Sequence, residues 1–148
     1  MKVDVWTPLD CSAAKAWDEV QKSALFLHII WPLASVTPVP GTSFPERWSE
    51  GQTIKCKVAL FGLIPIGTRT LLHEKIDQAT REIVTHEFDP LIKRWDHRIS
   101  IEPQGENRSI YRDTIEIDAG ALTVLVWAWA SGFYRYRQWR WRAVAKTL

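Results

Sequence analysis

Reactive and metal-binding signatures are scarce in this chain of 148 residues. The two cysteines, Cys11 and Cys56, stand 45 residues apart with no CxxC spacing and no histidine at zinc-finger spacing, which argues against a structural metal and leaves two free thiols. No GxSxG, HExxH, glycine-rich phosphate loop or EF-hand pattern occurs, so a serine or cysteine nucleophile has no local support. Repeats and low-complexity tracts are absent, and nearly half the residues are apolar; disorder is excluded on composition. The amino-terminal MKVDVWTPLD carries acids at positions 4 and 10 and no apolar stretch, so it does not read as a secretory signal, and a cytoplasmic protein is expected.

Long apolar runs are also missing. The longest, Ala119 to Phe133, has 15 residues, short of the roughly 20 needed to cross a bilayer. Acidic residues and proline are absent from the 28 positions after Gly120. That stretch, ALTVLVWAWASGFYRYRQWRWRAVAKTL, organises the chain and reads as one long helix. Leu122, Leu125, Val126, Trp129, Phe133, Tyr136 and Arg140 fall along one stripe, expected to face the core, and Ser131, Arg135, Gln138, Arg142 and Lys146 along another, expected to face water. A third line, Trp127, Ala130, Tyr134, Arg137 and Trp141, makes the apolar surface wider than a single contact needs.

The length suits a single domain over residues 1–148. Net charge is +2, but residues 135–148 hold five of the 19 basic residues and none of the 17 acidic ones. So local a basic bias argues against a nucleic-acid partner, which would call for a basic face across the domain. It leaves room for an anionic contact at the helix end.

Lys2 to Leu9 reads as an edge strand ending at Thr7-Pro8. Ser12 offers an N-cap for a helix over Ala13 to Lys22, and Ser23 a cap for a second over Ala24 to Ile30, stopped by Pro32. The period then changes to two. Strands are expected over Ala34–Val39, Phe44–Glu50, Thr53–Leu60, Thr68–Asp77, Glu82–Phe88, Trp95–Glu102 and Ser109–Asp118. Residues 61–67, FGLIPIG, form an apolar link that either folds under the carboxy-terminal helix, the favoured placement, or makes the lip of a pocket or a membrane-touching gate.

This order of elements, the helix end FYRYRQWRWR and the hairpin WDHRISI…YRDTIEID resemble a bacterial member of the START-like, Bet v1-like (SRPBCC) superfamily, which includes polyketide cyclases, lipid-transfer domains and ligand-binding modules. The resemblance spans the whole chain and rests on layout rather than a catalytic signature. It implies an α+β helix-grip fold: a curved seven-stranded antiparallel sheet wrapped around the long helix, two short helices after the first strand, and an apolar cavity between sheet and helix. No catalytic residue carries over from it.

Chemistry is best sought in the last hairpin. Trp95, His97, Ile99 and Ile101 share one face, as do Tyr111, Asp113, Ile115 and Ile117, and both faces must point inward. Paired residue numbers then sum to 210, which sets His97 opposite Asp113, or to 212, which sets it diagonal. An inward His97, Asp113 and Tyr111 form a candidate acid/base set, a ligand-orienting set, or a group of buried residues that satisfy one another. Asp113 could instead pair with Arg140. His86, with Val84 and Phe88, and Glu74 are weaker inward candidates; His73 and His28 are assigned no role.

The leading expectation is a cavity protein for a small to medium hydrophobic ligand, a lipid, isoprenoid or aromatic metabolite. Trp129, Phe133 and Tyr136 would form the floor, Trp95, His97, Tyr111 and Asp113 the polar end, and Arg140, His86, Val58 and Leu60 the remaining wall. The enzyme alternative is a polyketide cyclase-like dehydratase or isomerase in which His97 and Asp113 move protons. A third reading is peripheral membrane or partner docking through Phe61–Ile66 and the Trp/Arg helix end. No metal or other cofactor is expected, and the protein is expected to be a monomer or a homodimer.

Overall fold

The computed structural model covers residues 1–148. Strand β1 (Lys2–Leu9) is followed by helices α1 (Ala13–Val20) and α2 (Ser23–Ile30), strands β2 (Ala34–Pro38), β3 (Thr53–Leu60), β4 (Ile64–Asp77), β5 (Glu82–Phe88), β6 (Arg94–Pro103) and β7 (Ser109–Asp118), and helix α3 (Thr123–Ala145). The strands make one antiparallel sheet in the order β1-β7-β6-β5-β4-β3-β2. Consecutive strands from β2 to β7 are neighbours; β1 closes the far edge by pairing with β7. Alternating burial along β1, β6 and β7 shows one face packed and one solvated. The packed face is covered by α1, α2 and α3.

Sequence chemistry explains most boundaries. The Ser12 hydroxyl accepts from the Lys15 amide and caps α1. One core cluster gathers Trp17, Leu25, Ile29 and Ile30 from α1 and α2 against Ile83, Ile99, Ile101, Tyr111 and Trp141. A second joins Val3, Val5, Trp95, Ile115 and Ile117 to Ala130 and Tyr134. No helix is long and apolar enough to cross a membrane.

Four expectations are corrected. Phe44–Glu50 is not a strand: its backbone is drawn to the α1–α2 corner, where Ser23 N–H donates to Glu46 O and Trp48 N–H to Gln21 O. The Trp48 ring stacks on His73 at 4.6 Å. The apolar link does not fold under α3; it is the β3–β4 hairpin tip, with Leu63 84% exposed and Phe61, Ile64 and Ile66 about half exposed. It meets the helix through Phe61, whose ring lies edge-on to Trp129, 6.1 Å between ring centroids.

The third correction concerns α3. Its buried face is Ala130, Tyr134, Arg137, Gln138, Trp141 and Ala145, the line expected to be a flank, whereas Leu125 is 70% exposed. Gln138, expected in water, is buried because its amide donates to Val5 O at 2.9 Å and to Asp113 at 3.0 Å. Fourth, the phase of β5 is reversed: Ile83 and Thr85 are buried, while His86 lies on the outer face with its ring between Asp96 and Glu74. In β4 a register shift between His73 and Lys75 turns Leu71 and His73 inward and leaves Glu74 outside.

Candidate functional site

The site lies between α3 and the middle of the sheet. Strands β6 and β7 pair with residue numbers summing to 212, so His97 faces Ile115 and lies diagonal to Asp113, which faces Ile99. His97 Nε2 is 2.7 Å from Asp113 Oδ1, the same oxygen accepts from the Tyr111 hydroxyl at 2.9 Å, and Oδ2 accepts from Gln138 at 3.0 Å. Asp113 has no exposed surface. Burial alone would raise its pKa, but the His97 bond, the Arg137 charge and the Gln138 amide outweigh it and hold the carboxyl below its ordinary value. Tyr111 moves the other way, raised well above its ordinary value by burial and by Asp113. The pair is therefore a phenol donating to a carboxylate, and Nε2–H of His97 donates to the same anion. His97 Nδ1 has no protein partner.

Two abutting lobes open in front of this group. One, of about 50 Å³, is bounded by Val20, Leu25, Phe26, Ile29, Trp48, Leu71, Ile83 and Ile99, with His73, Thr85, Glu87, His97 and Arg137 as its polar members. The other, of about 60 Å³, is bounded by Ile30, Val36, Cys56, Val58, Trp95, Phe133 and Tyr134, and shares Phe26, Leu71, Glu87 and Arg137 with the first. A water needs roughly 10–15 Å³ of such space, so each lobe takes a few waters or one small end of a ligand. The rest of the grip is filled by indoles: Trp17, Trp95 and Trp141 are buried, and Trp95 Nε1 donates to the Tyr134 hydroxyl at 3.1 Å.

The polar atoms of the first lobe are unusual. His73 Nδ1, Thr85 Oγ1 and Arg137 Nε are buried without a hydrogen-bond partner. Burial lowers the His73 pKa to about 4, so the ring is neutral at pH 7. Burial and then Glu87 push the Cys56 thiol up to about 11, so it is no thiolate nucleophile. A larger concavity of about 520 Å³ lies on the outer face of the sheet. Its charges cancel locally, Arg112 with Asp4 and His86 with Asp96, and it offers no apolar wall.

No protein-family model matches this sequence, and neither does any curated protein. Solved structures do match its shape. The Zhui aromatase/cyclase from Streptomyces sp. R1128 superposes with a TM-score of 0.76 at 12% identity, over 99% of this chain and 93% of that one. The chain has the START-like, Bet v1-like fold. A START superfamily protein from Mycobacterium smegmatis gives 0.68 at 12% identity over 99% and 97% of the two chains. Norcoclaurine synthase from Thalictrum flavum, in complex with dopamine and hydroxybenzaldehyde, gives 0.63 at 11% identity over 93% and 84%. At these identities the likeness is one of fold.

Within this START-like grip, the residues picked from the sequence separate into groups. His97, Asp113 and Tyr111 come together, and Trp95, Phe133 and Val58 border the second lobe. Trp129 stacks on Phe133 outside the lobes. Tyr136 and Arg140 do not reach the cavity: the Tyr136 hydroxyl donates to Trp31 O at 2.8 Å, and Arg140 donates to His28 O at 3.0 Å. They tie α3 to α2 instead. Asp113 therefore does not pair with Arg140; the buried cation near it is Arg137. Leu60 pairs with Ile64 near the hairpin tip, away from both lobes, and His86 is on the opposite face of the sheet. His73, Thr85, Glu87 and Arg137 were not picked from the sequence. For the three strand residues the signal was only that their same-face neighbours, Leu71 and Ile83, are as apolar as the alternatives; for Arg137 it was its place on the apolar flank of α3 between Tyr134 and Trp141.

Proposed function

We propose that this protein binds a small hydrophobic ligand in the two-lobed cavity between sheet and α3. One observation carries the reading: an apolar wall encloses three buried polar atoms, His73 Nδ1, Thr85 Oγ1 and Arg137 Nε, that the protein itself does not satisfy. Buried polar groups without partners are costly, and a ligand or water completes them. One fold neighbour, norcoclaurine synthase from Thalictrum flavum, is in complex with dopamine and hydroxybenzaldehyde, two small aromatic compounds. Native mass spectrometry of protein purified from its own cells tests the reading, paired with calorimetric titration of neutral aromatic compounds. A carried mass, or binding with a negative heat-capacity change, is the expected result. A clean apo mass together with no binding of any apolar compound defeats it.

A second reading is favoured by the His97–Asp113 contact. Asp113 and Tyr111 are sealed, so neither reaches a ligand; His97 alone borders the lobe, with Nδ1 unpartnered. In a cyclase- or dehydratase-like reaction, Asp113 would fix the tautomer while His97 Nδ1 took a proton. His97→Gln is then expected to abolish turnover of a polyketide-like substrate while leaving its affinity within about threefold. Unchanged turnover removes this reading.

A further inference from the structure

Arg137 is 5% exposed and makes no hydrogen bond or ion pair with any protein group, and its Nε is sealed without a partner. Aromatic rings surround the guanidinium: Tyr134 at 4.9 Å, Phe133 at 5.9 Å and Phe26 at 6.0 Å. Nearby carboxylates are already engaged elsewhere. Asp113 is filled by His97, Tyr111 and Gln138, and Glu87 Oε2 is held by Arg69 Nη1 at 3.2 Å. A buried cation whose own protein leaves it without a direct counter-ion is expensive, and the expense is offset when an anion arrives.

From this geometry we infer that Arg137 is the recognition group of the cavity and that the ligand is a monocarboxylate on an aromatic or branched-aliphatic body. This rests on the cavity-binding reading above. A guanidinium and a carboxylate match edge to edge through two parallel N–H···O bonds. Thr85 Oγ1 and, in its Nδ1–H tautomer, neutral His73 supply further donors in the same lobe. The apolar body extends past Phe26 toward Phe133. Glu87, which borders both lobes, sets the charge limit: it repels a phosphate-like dianion more than a single carboxylate, and a lobe of about 50 Å³ favours the flat group.

Calorimetric titration of the full chain with benzoate and cinnamate, against benzamide and cinnamamide, tests this. The acids are expected to bind at least tenfold tighter than their amides. Arg137→Met should lose that preference, its affinity for the acids falling to that for the amides, and Arg137→Lys should retain part of it. Equal affinity of acid and amide for the wild-type chain overturns the inference and leaves the cavity reading intact, as does undiminished acid binding by Arg137→Met. Failure of acids, amides and a neutral probe such as indole to bind defeats both. The wild-type ratio of acid to amide decides the matter even where Arg137→Met does not fold.

Discussion

Replacing Asp113 by asparagine isolates the value of one buried charge. The amide is nearly isosteric: its carbonyl accepts from Gln138, and its NH₂ donates to His97 Nε2, once His97 moves its proton to Nδ1, and to the Tyr111 oxygen, which leaves the phenol proton without its acceptor. What disappears is the charge on three hydrogen bonds of 2.7, 2.9 and 3.0 Å. A hydrogen bond to a charged group is stronger than a neutral one by about 1 kcal/mol. The expected loss is therefore at least about 3 kcal/mol, a large share of the roughly 5–15 kcal/mol that holds a domain folded. In a domain of this size it lowers Tm by about 10 °C. Urea unfolding followed by tryptophan fluorescence measures it. Asp4→Asn is the control, since the Asp4–Arg112 pair is solvent-exposed and is expected to change stability by less than about 1 kcal/mol. Because the folded pKa of Asp113 lies below its unfolded value, its contribution is complete above about pH 4 and fades as pH falls through the folded value. The gap between wild type and variant should be constant from pH 7 to about 5 and close in stronger acid. A loss indistinguishable from that of Asp4→Asn refutes the reasoning.

His73 works in the opposite sense to an acid-stabilised group. Its folded pKa of about 4 lies below the ordinary 6.5, so the unfolded chain takes the proton first and stability falls as pH drops from 6.5 toward 4, by on the order of 3 kcal/mol in all; His73→Phe should flatten that slope in melts across this range. At the hairpin tip, Gly62 has φ +67°, and a Cβ there would sit 2.9 Å from the Trp31 ring. Gly62→Ala should cost about 1–2 kcal/mol, read as a lowered urea midpoint.

How far the sequence could be read depended on whether neighbours in space were also neighbours in pattern. In β6 and β7 the apolar alternation is clean, and the requirement that both faces point inward left two registers, one of which is realised. In β5 it failed. Glu82, Val84 and His86 alternate as convincingly as Ile83, Thr85 and Glu87, and the choice between them is made by the irregularity in β4, which one strand cannot reveal. Helix α3 is apolar on nearly every side in its first half, so no stripe declares itself. Gln138 looked like a surface residue because its partners, Val5 and Asp113, are 133 and 25 positions away. The same applies to the cation: Arg137 and Arg140 are one turn apart and alike in sequence context, yet one enters the cavity and the other binds the α2 terminus. The order of elements was legible because turn residues punctuate it; the site was not, because it is assembled from helix rotation and strand phase.

The pairing of β1 with β7 also has a consequence in time. Every other pair of neighbouring strands joins segments that follow one another along the chain, so a growing polypeptide can zip them up in the order it is made. Lys2 pairs with Glu116, and at roughly 5–20 residues per second β1 waits for several seconds or more before its partner exists. Until then its apolar residues, Val3, Val5 and Leu9, have no sheet to enter. Gln138, which bonds both Val5 and Asp113, arrives later still. The candidate site is therefore among the last parts of the molecule to form, and a nascent chain stalled before α3 would present an unfinished sheet with its first strand free to find another molecule's edge.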